Sequence, residues 1–156
     1  MELEIIPKQD NIPVYNMKQI KIKHIEYYPA YDGCYEEDEI TEELVSGILK
    51  QIPEGINIIL SLNPYGEEDM FEILCNGEWL STAYSYYSEE KQQDIVYYSY
   101  NQSYAGTEDL SPLESEGQSP VYKYMAINDI KAGVKAAEYF IRTGKLYPGI
   151  DWAKQA

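Results

Sequence analysis

The chain has 156 residues, with 27 Asp and Glu against 12 Lys and Arg, so its formal charge is 12 − 27 = −15. That length suits a single domain over residues 1–156 with a real core, and 44% hydrophobic residues exclude a disordered chain. One arginine, Arg142, and a pI near 4.3 exclude a phosphate-binding surface, so nucleic acid and anionic membranes are not expected as direct partners. A basic protein, or one with a basic groove, is the electrostatic match.

In chain order, the first residues Met1-Glu2-Leu3-Glu4-Ile5-Ile6-Pro7 are acidic where an export signal would be basic. Lys18 to Glu26 alternates polar and apolar residues with period two and predicts a half-buried strand. A tyrosine- and acid-rich connection follows, Tyr27 to Glu37. Ile40, Leu44, Val45, Ile48, Leu49 and Ile52 then recur at helical spacing. They predict a helix over about 39–52, capped by Asp38 or Thr41 and ended by Pro53. Apolar runs such as Ile58-Ile59-Leu60 are far too short to cross a bilayer, so a cytoplasmic protein is expected.

The middle of the chain predicts an antiparallel meander. Its strands are Ile56–Leu62, Met70–Cys75, Trp79–Tyr86 and Asp94–Tyr100, with turns at Asn63-Pro64-Tyr65-Gly66 and Asn76-Gly77. Residues 105–119, with four acids among Ser, Gly and Pro, are expected to form an exposed loop. A fifth strand, Val121–Ala126, leads to a second helix capped by Asn128 and closed by Gly144. The expected class is α+β: a mostly antiparallel sheet with an N-terminal and a C-terminal helix on it.

The chemistry is sparse. His24, the only histidine, belongs to the lysine-bearing first strand and is expected at an exposed or edge position. A Ser-His-Asp or Cys-His arrangement would have to use it. Cys34 and Cys75 are 41 positions apart with no C-x-x-C pair, which suits a reducing compartment. With His24, Cys34 and Cys75 scattered, no metal, cofactor or catalysis is expected. The acidic runs Glu36-Glu37-Asp38-Glu39, Glu67-Glu68-Asp69 and Glu89-Glu90 read as solvated surface rather than acid–base pairs. The chain also carries 17 Tyr against 2 Phe and 2 Trp. Tyr84 and Tyr86, Tyr98 and Tyr100, and Tyr122 and Tyr124 each share a strand face. Such pairs suit cross-strand packing and binding surfaces equally.

Residues 120–152 contain Pro120-Val121-Tyr122-Lys123-Tyr124-Met125-Ala126-Ile127, then a helix ending Ala136-Ala137-Glu138-Tyr139-Phe140-Ile141-Arg142-Thr143-Gly144, then Pro148, Ile150 and Trp152. This stretch resembles the first immunity-protein family of bacterial polymorphic toxin systems. Pro148 stands one place later than that family's usual Thr-Gly-x-x-Pro. The resemblance implies a cytoplasmic antidote that binds a cognate toxin domain, often a nuclease or nucleic-acid deaminase. Phe140, Gly144 and Trp152 are read as structural. The expected contact residues are Glu67, Glu68 and Asp69, Tyr104, and Glu108 and Asp109, on loops along one edge of the sheet. Two other classes fit the composition: a nucleic-acid mimic blocking another DNA-binding protein, and a carboxylate-dependent hydrolase built on a buried acidic pair.

Overall fold

The computed structural model describes residues 3–28, 33–115 and 119–155. Its strands are β1 (Leu3–Ile6), β2 (His24–Tyr28), β3 (Gly33–Glu36), β4 (Asn57–Ser61), β5 (Met70–Cys75), β6 (Leu80–Ser88), β7 (Gln93–Ser99), β8 (Leu110–Ser115), β9 (Ser119–Tyr122) and β10 (Trp152–Gln155). The helices are α1 (Glu42–Gln51) and α2 (Ile130–Thr143). Eight strands form one sheet in the order β1-β10-β7-β6-β5-β4-β2-β3, antiparallel throughout, and β8 pairs with β9 apart from it. The class is α+β.

The meander β4–β7 is the sheet's centre, as its alternating apolar residues and turns require. The β2–β3 hairpin extends one side and β10 with β1 the other. Strand β2 is shorter than the pattern at 18–26 implies. Ahead of it, Lys21 N–H leaves the sheet and donates to the Ile141 carbonyl at the end of α2, and Lys23 N–H makes a single bond to the Ser61 carbonyl at the end of β4. No strand ladder remains for residues 18–23, although Ile22 is still buried.

Both helices lie on one face. Thr41 caps α1 by accepting from Leu44 N–H, and Glu42 and Glu43 occupy its first turn, where the helix dipole favours acids. Asp129, not Asn128, caps α2 by accepting from Ala132 N–H. Gly144 ends α2 at φ 72°, a left-handed position that glycine takes without strain. The core joins Val45 and Ile48 of α1, Ala136, Ala137 and Phe140 of α2, and the helix-facing residues Ile25, Ile58, Leu60, Phe71, Ile73 and Leu80 of the sheet.

The opposite face is covered only in part. Residues 105–119 are not all loop, because 110–115 form β8, with Ser111 and Leu113 buried between exposed Leu110, Pro112 and Glu114. The expected strand 121–126 is displaced toward its start as β9, and Lys123–Met125 make a short 3-10 turn. This hairpin rests on Leu74 through Leu113, Val121 and Ala126 as a small second core. Positions 116–118 of the expected loop, and 29–32 of the tyrosine-acid connection, lie outside the described residues. Among the described residues, no helix is long and apolar enough to cross a membrane.

Candidate functional site

Because side chains alternate across a strand, the face away from the helices carries a different residue set from the core face. Glu72 and Leu74 of β5, Ser81 and Ala83 of β6, and Val96 and Tyr98 of β7 line a groove there. Tyr122 and Met125, beside the β8–β9 hairpin, wall it, and it holds about 520 Å³. The small side chains at Ser81, Ala83 and Ser85 create the space. Burial, the neighbouring Tyr124 and Glu72 together push the Tyr98 hydroxyl above its ordinary range. The groove floor is thus a partly dry surface bearing a carboxylate and phenols.

The six expected contact residues do not lie on one edge. Strand β4 ends and β5 begins at the end of the sheet where the β6–β7 turn also lies, which puts Glu67, Glu68 and Asp69 there. They border a smaller hollow with Met70, Ser85, Tyr87 and Asp94, three of which also line the main groove. Tyr104, Glu108 and Asp109 follow β7 and belong to the opposite end, roughly 20 Å away by the length of these strands. There Glu108 lines a hollow with Tyr100 and Tyr124. The acids therefore flank one face from its two ends. The expected meander already implies this: in four successive antiparallel strands the loop after the first and the loop after the fourth leave from opposite ends, so a single edge could not hold all six.

Two of the six already have intramolecular roles. Asp69 sits at φ 53° facing Tyr84; burial first, then that carboxylate, push the Tyr84 hydroxyl up to about 12. The Tyr104 ring lies 5.8 Å from Trp79, with Lys123 Nζ 5.3 Å from the Tyr104 centroid and 5.6 Å from that of Trp79. Glu67, Glu68, Glu108 and Asp109 are exposed. The tyrosine pairs divide by face. Tyr84 packs on Phe140 at 5.4 Å under α2, whereas Tyr122 and Tyr124 stack at 5.3 Å along the groove side.

Among the structural residues, Phe140 stacks on Phe71 at 4.6 Å, and Trp152 meets Phe71 edge-on at 6.3 Å. Trp152 begins β10, and its Nε1 donates to the Tyr147 carbonyl at 2.8 Å.

A further group went unseen in the sequence. His24 is buried at 5% exposure, neither exposed nor at an edge, because β2 lies between β3 and β4 and Gly66 covers the ring. A Cβ on Gly66 would stand 2.6 Å from His24 Cδ2. The β2–β3 register sets Glu26 opposite Cys34. His24 Nε2 lies 3.4 Å from Glu26 Oε1 and 3.8 Å from Cys34 Sγ. His24 and Cys34 are thus not scattered, while Cys75 is buried elsewhere in the main core. Burial, then Glu26, Glu36 and Glu39, push the Cys34 thiol above its ordinary range. What joins these residues is the pairing of β2 with β3 in one register, and the pattern along either strand alone did not disclose it.

Compared with protein-family models, with curated proteins and with solved structures, the chain matches none.

Proposed function

We propose that this protein is a non-catalytic inhibitor of the immunity type, which holds a basic cognate toxin domain against the open sheet face. One observation carries the reading: a tyrosine-bearing groove with exposed acids at both ends of the same face. Carboxylates spaced along a face of a chain with charge −15 would steer a basic cleft onto it. The phenols between them supply large contact area at low ordering cost. The resemblance of residues 120–152 to the immunity family supports the same reading, with that motif serving the fold and the opposite face serving the partner. The cytoplasm is the compartment in which such an antidote would meet its toxin.

The test starts by identifying the gene immediately upstream; if it encodes a toxin-like protein, association kinetics with that protein are measured. The reversals Glu67→Lys, Glu68→Lys and Glu108→Lys spare Asp69 and Tyr104, whose side chains have partners within the fold. Together they should slow association by about tenfold or more at low salt, with the difference shrinking as ionic strength rises. Binding indifferent to both salt and these reversals would place the contact surface elsewhere.

A further inference from the structure

We propose that His24 and Glu26 of β2 and Cys34 of β3 form a binding site for a zinc-class divalent ion, one that ties the two paired strands together. The three side chains offer nitrogen, oxygen and sulfur donors that all lie within 4.8 Å of one another. Zinc bonds near 2.3 Å to sulfur and 2.0–2.2 Å to nitrogen or oxygen put tetrahedral ligands about 3.3–3.6 Å apart. The observed separations of 3.4 Å and 3.8 Å at His24 Nε2 need only a few tenths of an ångström of adjustment.

The alternative chemistry for these residue types is a catalytic relay. In a relay the nucleophile and the acid occupy opposite nitrogens of the imidazole. Here Cys34 and Glu26 both approach Nε2, while the buried Nδ1 has no hydrogen-bond partner. Three donors within 4.8 Å of one another, two of them approaching the same imidazole nitrogen, suit chelation rather than a relay. The ring is held in that direction by Gly66, and Cys34 is exposed, so an ion can reach the site. Glu36 and Glu39 act electrostatically on the thiol and add negative potential for a cation. Mixed nitrogen, sulfur and carboxylate donors favour zinc over magnesium or calcium, which take oxygen. On binding, the thiol S–H bond breaks, its proton leaves to solvent and the thiolate sulfur donates its electron pair to the metal. No change of oxidation state is involved. Three protein ligands leave a fourth position for water.

Calorimetric titration of the reduced full-length chain with zinc chloride, in an excess of magnesium to occupy surface carboxylates, should show one equivalent bound. Titration with cobalt(II) should give a thiolate-to-metal charge-transfer band. Cys34→Ser should remove that band and weaken zinc by about tenfold or more. Cys75→Ser should leave both unchanged. Affinity should rise with pH, since the thiol proton must leave. Because His24 is buried and its replacement can disturb the fold, Cys34→Ser at an exposed position is the deciding variant, with a thermal melt confirming that it folds. Zinc binding that magnesium abolishes, or that survives Cys34→Ser undiminished, overturns the site.

Discussion

At the scale of single residues, two buried side chains carry separable loads. Trp152 is 2% exposed, and it contributes both aromatic contact with Phe71 and an indole hydrogen bond. Truncating such a residue costs about 3–5 kcal/mol. Trp152→Ala should therefore lower the melting temperature by roughly 6–20 °C, given about 2–4 °C per kcal/mol in a domain of this size. An unchanged melting curve would show that the indole does not help close the core. Arg142, the only arginine, is buried at 3% exposure and meets Glu42 in a two-pronged pair at 2.7 and 2.6 Å. The guanidinium hydrogen bonds hold the Glu42 carboxyl below the ordinary carboxylate range. A carboxyl whose folded pKa is depressed stabilises fully above its unfolded value and loses that effect as pH falls through the folded one. Glu42→Gln should thus lower the urea midpoint at neutral pH, and the gap from the parent should narrow as acidification carries the solution through and below the ordinary carboxylate range. A gap that persists at low pH would mean that the carboxylate's charge is not what matters. Composition revealed that Arg142 was singular and sat in the last helical turn. That its partner would come from the other helix depends on how α1 and α2 lie together, and no local pattern encodes it.

Among the elements, the two helical glycines look alike in sequence and differ in surroundings. A Cβ at Gly47 in α1 would meet nothing within 4 Å, whereas one at Gly133 in α2 would stand 2.5 Å from Leu80 Cδ1. Alanine in a helix interior gains about 1 kcal/mol over glycine. Gly47→Ala should therefore stabilise by about that much in chemical denaturation. At Gly133 the same gain is opposed by overpacking against a fully buried leucine, which costs about 1–3 kcal/mol. Gly133→Ala should come out neutral to destabilising, and equal stabilisation by both would refute the close approach. The helices and the meander were legible because their periodicities are strong and their caps and turns carry suitable residues. Strand β8 was hidden by Pro112 and the surrounding Ser and Glu, even though Ser111 and Leu113 alternate inward. Strands β1 and β10 are four residues each and form by pairing with one another, Leu3 opposite Gln155 and Ile6 opposite Trp152. Local propensity does not announce such a partnership. The zinc-class cluster was illegible for a related reason: a ten-position separation between His24 and Cys34 becomes a contact only in one hairpin register.

The whole molecule carries a charge of −15 on 156 residues, so its surface repels itself. Raising ionic strength from about 10 mM to 1 M shortens the screening length from about 30 Å to 3 Å. The melting temperature should rise over that range. A fall would mean that ion pairs such as Arg142 with Glu42 outweigh the repulsion. The same sheet order has a consequence for how the chain reaches its folded state. Strands β4 to β7 are joined by short turns, so their closure entropy is small, whereas β1 meets β10 across about 150 residues. Closing a loop of that size costs about 3 kcal/mol more than closing a turn of four residues. Folding should start in the meander and complete the β10–β1 side late. Until it does, the outer edge of β7, with Val96, Tyr97, Tyr98 and Ser99 awaiting β10, presents unpaired backbone groups to other chains. Refolding yield would then be set by a race between a slow closure within one molecule and edge-to-edge encounters between molecules, a race that dilution favours.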